Sequence, residues 1–439
     1  MDDASAADER RTDRAWALWL TGVTAAALVL LFAVMPHTVS ADGGVRFLKL
    51  DALLRHGTLG GERFSFVGPL FAAPFWLLGD ANAILWWCAR FNVLVLAAGC
   101  AVAWWALAPA LPAAERAAFL LALAAAGMMP NAVRDFYGEL FSAVTIATGL
   151  LIVSVRQRWF GWIAVVAGVA NMPAAGVGLA LAAMTRAWKD RRFDALIALA
   201  AAAALVALEN RLTRGGLLNT GYFRDHGFVT ILPFSGKAGF SYPLVLGVPA
   251  LLLSFGKGVL LFAPALLLVA HARRQRPALA TFFDFSTAIL AGLLLVYSQW
   301  WAWYGGWTWG PRFLLYAAYP SALALAISLM APTTPARSTA IVAIAAWTVW
   351  VGVSGAVFDL EGLEACIANG YALEHLCWFV PEFSPLFRHL AIRPSTLAPW
   401  QQAWMLFAAV VAAVLLTSGP SLPRIAGGLQ NLMRSRSQR

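Results

Sequence analysis

Apolar residues in this chain do not alternate with polar ones. They come in long blocks, from Trp16 to Ser418, separated by short polar stretches. A helix that crosses a bilayer needs about 20 mainly apolar residues, and buried ones can be shorter. Backbone polar groups cannot go unpaired in lipid, so such blocks are expected to be helices. Richness in Ala and Leu, without strict alternation, argues against a membrane β-barrel. Trp16–Met35 is too long for the apolar core of a signal peptide and is read as the first span.

Basic clusters punctuate the blocks: Arg10-Arg11-Thr12-Asp13-Arg14, Arg156-Gln157-Arg158, Lys189-Asp190-Arg191-Arg192, Arg273-Arg274-Gln275-Arg276, and a tail carrying Arg424, Arg434, Arg436 and Arg439. The positive-inside rule puts all of them in the cytoplasm, so the chain must cross an even number of times between them. Five blocks lie between Arg14 and Arg156. One of them therefore stays on the outer side, and Phe64–Leu78, short and broken by Gly68, Pro69 and Pro74, is the one that does not cross. The expected spans are Trp16–Met35, Phe91–Leu107, Ala117–Pro130, Leu140–Val155, Trp159–Ala170, Pro173–Ala187, Phe193–Leu208, Gly258–Ala270, Ala278–Tyr297, Pro311–Met330, Ala340–Phe358 and Trp400–Thr417. The expectation is an all-α polytopic bundle of about 12 spans with juxtamembrane helices on its outer face. A cytoplasmic segment 1–15 precedes the membrane domain 16–418, and a basic tail 419–439 follows it. The outer loops are 36–90, 209–257, 298–310 and 359–399.

Composition sharpens this picture. The chain is 61% hydrophobic and 12% charged, against about 25% charged for a soluble domain. Its formal charge of +10 follows from basic inner loops and does not call for nucleic acid. No Cys/His group has metal-site spacing. Cys88 and Cys100 lie in or beside apolar blocks, whereas Cys366 and Cys377 share a polar outer loop. Pairing is expected there, with a hairpin about Asn369-Gly370 bringing the two thiols together.

The candidate chemistry lies in the outer loops. Phe47, Leu50, Leu53 and Leu54 follow a 3.6-residue period, so an amphipathic helix starts near Gly43 with Asp42 as its N-cap. A carboxylate held there could serve as a general base. Asp135 and Glu139 close the next outer turn at i,i+4 spacing and would share a face if that turn were helical. Lys257 sits between Gly256 and Gly258 at the mouth of a span, a point charge suited to phosphate. The densest signal is Trp300-Trp301-Ala302-Trp303-Tyr304-Gly305-Gly306-Trp307-Thr308-Trp309-Gly310-Pro311-Arg312. An interfacial belt accounts for some of these aromatics but not for the glycines or for Gly310-Pro311-Arg312.

These motifs, taken in order, resemble those of the bacterial membrane glycosyltransferases of the GT-C superfamily, relatives of protein mannosyltransferases and aminoarabinose transferases. The matching features are Asp42 leading Phe47-Leu48-Lys49-Leu50-Asp51; Pro74 followed by Arg90-Phe91-Asn92; Tyr137-Gly138-Glu139-Leu140; and Gly256 to Leu261 with Trp300 to Phe313. The acidic pair usual after the first span is reduced here to Asp42-Gly43. The resemblance implies transfer of a sugar (mannose, glucose, galactose, arabinofuranose or aminoarabinose) from a polyprenyl-phosphate carrier. The acceptor hydroxyl would belong to a glycan, a lipid or a protein on the outer face of the bacterial inner membrane, and the transfer would invert the anomeric centre. On this reading Asp42 is the base. Lys257, Arg312, Arg90 and Arg46 contact the donor phosphate. Asp135, Glu139, Trp301, Trp303, Tyr304 and Trp307 contact sugar or acceptor. No cofactor is called for, a divalent metal is left open, and the protein is expected to act as a monomer among membrane lipids. A transporter or lipid flippase is the competing class. It would require polar residues deep in the spans, and the apolar blocks hold few.

Overall fold

The computed structural model describes residues 3–222, 225–227, 229–331, 333–392, 396–420 and 425. Most of the basic tail, including Arg424, Arg434, Arg436 and Arg439, lies outside the described residues. Among those described, the chain is helical throughout: α1 (Asp3–Ala33), α2 (Ala41–His56), α3 (Val67–Leu70), α4 (Ala81–Ala106), α5 (Ala113–Ala125), α6 (Met129–Ala132) and α7 (Gly138–Val155) form its first third. Then come α8 (Gly161–Asn171), α9 (Ala175–Asp190), α10 (Asp194–Arg214), α11 (Leu244–Leu253), α12 (Val259–Phe262), α13 (Val269–Gln275) and α14 (Ala280–Tyr297). The last stretch carries α15 (Ala318–Met330), α16 (Pro335–Val353), α17 (Glu364–Tyr371), α18 (Glu374–Phe379), α19 (Arg388–Ala391) and α20 (Pro399–Thr417).

Eight helical segments among the described residues are long and apolar enough to cross a membrane: Thr12–Ala33, Ala81–Ala106, Gly138–Val155, Asp194–Arg214, Pro277–Tyr297, Arg312–Met330, Pro335–Phe358 and Pro399–Thr417. The protein is a multi-pass membrane protein. The other four expected spans fall on shorter or broken helices. Ala117–Pro130 is the 13-residue α5, Trp159–Ala170 the 11-residue α8, Pro173–Ala187 the 16-residue α9, and Gly258–Ala270 is broken at Ala263-Pro264. Phe64–Leu78 likewise forms only short turns, over Val67–Leu70 and Ala73–Leu77.

Burial separates inner helices from outer ones. The spans at α7 and α15 are 89% buried, whereas those at α10 and α20 are 22% buried and turn most of their surface outward. Contact between helices rests on small residues, as expected where hydrophobicity cannot drive association. On α7 and α8, Gly149 and Gly161 face each other so closely that a Cβ on either would stand 2.5 or 2.6 Å from the other's carbonyl oxygen. Asn171, at the end of α8, donates to Gly138 O and Ser142 Oγ and accepts from Gly68 N at 3.0 Å. One buried amide thus ties α3, α7 and α8 together.

Helix direction places the loops. α1 rises from the basic N-terminal cluster and α7 descends to Arg156, so the turns after α1 and before α7 share the opposite end. Thr38 N donates to Arg134 O at 2.9 Å, joining those turns directly. The aromatic segment before Arg312 and the loop after α16 reach the same end, where Trp307 stacks on Tyr371.

Candidate functional site

Asp42 is not an N-cap. Ser40 caps α2, which begins at Ala41, and Asp42 sits within its first turn. The phase shift points the carboxylate at Arg312, whose Nη2 donates to Asp42 Oδ2 at 2.6 Å. The same guanidinium stands 3.7 Å from Glu139 Oε1. Both ends of this arrangement are largely shielded, with Arg312 and Asp42 side chains 16% and 23% exposed. Burial alone would raise the Asp42 carboxyl, but the Arg312 charge and hydrogen bond, with help from Arg46 and Arg63, hold it below its ordinary value. Asp42 is therefore ionised at neutral pH while it is paired.

Asp135 and Glu139 do not share a helical face. α7 begins only at Gly138, and Asp135 belongs to the irregular turn before it. Asp135 Oδ2 accepts from Thr38 Oγ1 at 2.9 Å and Ser40 Oγ at 2.6 Å, and Oδ1 accepts from Phe136 N at 2.6 Å and Ser40 N at 3.3 Å. Burial raises the Asp135 carboxyl above its ordinary value, against these hydrogen bonds. Gly43 makes room for this carboxylate: a Cβ there would sit well inside contact with Asp135 Oδ1. The glycine that breaks the acidic pair thus seats an acid from a distant turn against the start of α2. The buried Asn92 secures that turn, donating to Asp135 O at 2.6 Å and Tyr137 O at 2.9 Å.

A cavity of about 290 Å³ opens at this end of the bundle. It is lined by Arg312, Glu139, Asp135 and Tyr137, by Trp307 and Trp309, and by Asn131, Arg134 and Asp359. Of the four aromatic candidates, Trp307 alone reaches the cavity. Trp301, Trp303 and Tyr304 pack behind it: Trp303 against Tyr242 and Phe379, Tyr304 stacked on Trp378, and Trp301 beside Trp300. Their alternation in sequence did not separate lining residues from packing ones, because the segment is not regular secondary structure.

Lys257 and Arg312 do not meet at an outer mouth. Lys257 is wholly buried. Its ammonium donates to Thr308 O at 2.5 Å, Gly310 O at 3.0 Å and Gly306 O at 3.3 Å, and it lies 4.7 Å from the Trp378 ring. Gly305, Gly306 and Gly310 all have positive φ, which lets the loop turn its carbonyls inward onto the cation. Burial drives the Lys257 ammonium well below its ordinary pKa, with Arg312 adding to the shift. Arg90 is not brought to the cavity either. It donates to Phe32 O and Trp86 O and lies 3.9 Å over the Trp86 ring. Arg46 is a different case. It is buried, sits 4.9 Å over Phe64, packs against Gly138, and leaves Nε and Nη1 without hydrogen-bond partners.

Sequence reading did not single out Asn131, Arg134 or Asp359, whereas Trp309 lies in the aromatic segment it marked. Asp359 accepts from Asn131 Nδ2 at 2.8 Å and pairs with Arg134 Nη1 at 2.9 Å, contacts across more than 200 residues that no local pattern announces. Among the described residues, no three His, Cys, Asp or Glu side chains form a group that could hold a metal ion. Cys366 and Cys377 are joined in a disulfide with Cα atoms 6.2 Å apart, and positive φ at Asn369, Gly370 and Tyr371 makes the turn between them. Trp378 and Tyr371, held by this loop, press on Tyr304 and Trp307.

The geometry belongs to a known fold. Among solved structures the chain is similar to the crystal structure of ArnT from Cupriavidus metallidurans bound to undecaprenyl phosphate. The TM-score is 0.50 and the identity 16%, and the match covers 93% of this chain and 79% of that one. At this identity the likeness is one of fold: the chain is folded as that neighbour is. No family model matches the sequence, and no curated protein does so.

Proposed function

We propose that this protein transfers a sugar from a polyprenyl-phosphate carrier to an acceptor hydroxyl on the outer face of the bacterial inner membrane. The observation that carries the reading is Arg312 held between Asp42 and Glu139 at the edge of the cavity. A guanidinium flanked by two carboxylates can stabilise a departing phosphate while one carboxylate takes a proton. ArnT, the neighbour in fold, was crystallised with undecaprenyl phosphate, and a lipid phosphate is the anion such a cation would meet. The disulfide favours an oxidising compartment for this end of the bundle.

Without donor, Arg312 pairs with Asp42. An incoming phosphate competes for the guanidinium and relaxes its hold on Asp42. The buried Arg46, with two unsatisfied N–H groups, supplies the second phosphate contact. The acceptor oxygen then attacks the anomeric carbon from the face opposite the phosphate. The carbon–oxygen bond to phosphate breaks, the electron pair leaves with the polyprenyl phosphate, and the hydroxyl proton passes to Asp42. One displacement inverts the anomeric centre. Lys257 acts indirectly, by shaping the loop that carries Trp307 and Trp309. The test is transfer by purified protein from radiolabelled polyprenyl-phosphate sugars to membrane acceptors. Wild type is expected to release polyprenyl phosphate, and Arg46→Ala to need at least tenfold more donor. Unchanged donor dependence in Arg46→Ala would remove that residue from the phosphate site.

A further inference from the structure

The far wall of the cavity is not needed to hold a phosphate or to move a proton. Asn131, Arg134 and Asp359 line it and are joined to one another. Asp359 adopts φ 48° and ψ −116°, a sparsely populated conformation for a non-glycine residue. The wide turn Ser354–Phe358 at the end of α16 sets it there, with Asp359 N bonded to Ser354 O at 3.1 Å. Wide turns of this kind often occur at functional sites. Asn131 Nδ2 also bonds Gly355 O at 2.9 Å, so the amide fixes the strained residue from both sides.

The indoles of Trp307 and Trp309 line the same cavity. Tyr371 of the disulfide loop stacks on Trp307 at 5.5 Å and stiffens it. Four buried polar atoms of lining residues have no hydrogen-bond partner: Glu139 Oε2, Arg312 Nε, Trp307 Nε1 and Arg134 Nη1, the last in its ion pair with Asp359. A ligand with several hydroxyls, each both donor and acceptor, matches a lining that carries acceptors on Glu139 and Asp359 and donors on Asn131, Arg134 and Arg312. The volume, about 290 Å³, lies at the small end of ligand pockets, roughly 300–1,000 Å³. It suits one polar ring better than an acyl chain.

We infer that this cavity is a saccharide subsite that seats the terminal sugar ring of the acceptor, with its C–H faces against Trp307 and Trp309 and its hydroxyl rim on Asn131, Arg134 and Asp359. The inference rests on the glycosyltransferase reading and narrows its acceptor to a glycan or a sugar-bearing lipid. Arg46, the proposed phosphate contact, does not line the cavity, and Asp359 does.

The test is saturation-transfer NMR on full-length protein in nanodiscs with a panel of methyl pyranosides and furanosides. At least one glycoside is expected to give signals from its ring protons. Those signals should fall at least fivefold in both Asp359→Asn and Asn131→Ala, checked as monodisperse with wild-type melting. They should persist when a short-chain polyprenyl-phosphate sugar is added. Signals in wild type that survive both substitutions, or no signal from any glycoside, would overturn the subsite. Displacement by the polyprenyl-phosphate sugar would overturn the acceptor assignment and give the pocket to the donor. Because binding is read without turnover, the subsite can stand if transfer is never observed. Equally, transfer with acceptor KM unchanged in Asp359→Asn would sink the subsite and leave the transferase reading intact.

Discussion

Arg312 Nη2 and Asp42 Oδ2 lie 2.6 Å apart, although 270 residues separate them in sequence. The pair joins the first juxtamembrane helix to the start of a buried span. It also fixes the protonation state of the residue proposed as base. Replacing Arg312 by Gln should lower transfer by about 10²–10³-fold, the usual loss when one charge-stabilising donor is removed.

The same pair sets a pH dependence. Asp42 is held below the ordinary Asp pKa of about 3.9, despite the opposing effect of burial. Its pairing therefore stabilises the fold above the unfolded-state pKa, and that stability is lost as pH falls through the lower folded-state value. In Arg312→Gln the burial effect is opposed only by the charges of Arg46 and Arg63. The acid limb of the rate profile should then move upward relative to wild type. Superimposable acid limbs in the two proteins would dissociate Asp42 from the rate.

Gly43 and Gly44 offer a paired test of the Asp135 seat. A Cβ on Gly43 would collide with Asp135 Oδ1, whereas one on Gly44 would meet only Val39 O at 3.7 Å, an ordinary contact. Gly43→Ala is expected to lose most transfer activity and Gly44→Ala to keep most of it. Equal activity in the two variants would show that Asp135 need not sit against the start of α2.

Lys257→Met should leave the loop carbonyls of Gly306, Thr308 and Gly310 without their common donor. Each buried carbonyl so orphaned costs about 1–3 kcal/mol, and differential scanning fluorimetry should show a clear fall in melting temperature. If Lys257 contacted phosphate directly, the main effect would be on donor affinity at unchanged melting temperature, contrary to the buried position found here.

Non-reducing peptide mass spectrometry should recover Cys366 and Cys377 in one linked species. The chain-entropy account gives a loop of this size about 3 kcal/mol of stabilisation, so Cys366→Ser with Cys377→Ser should melt earlier. Free thiols on both residues would remove the brace behind Trp307.

Part of this architecture is legible in the sequence. Among the described residues, the long apolar blocks mark the eight helices long and apolar enough to cross a membrane. The Gly310-Pro311-Arg312 step stands out because an interfacial belt does not require it. Asp42 is visible from its place after the first block, but its partner is not, since only tertiary folding brings Arg312 to it. Lys257 and Arg90 mislead for opposite reasons. A lysine between glycines reads as accessible, yet the glycine-rich loop folds over it. An arginine at the edge of a span reads as a ligand contact, yet its guanidinium lies on its own helix's Trp86. Asn131, Arg134 and Asp359 stay hidden because each is an ordinary polar residue until the loop after α16 meets the turn before α7.

The account turns on whether Asp42 supports transfer of a sugar from a lipid phosphate. The most direct measurement is release of polyprenyl phosphate by purified wild type and Asp42→Asn, across a panel of polyprenyl-phosphate sugars with membrane extract as acceptor. Wild type should turn over at least one donor, with inversion at the anomeric carbon by NMR. Asp42→Asn, folded and inserted, should fall by roughly 10²–10⁴-fold. No release from any donor, or release by Asp42→Asn at more than about a tenth of the wild-type rate, a loss well short of that expected for a general base, would contradict it.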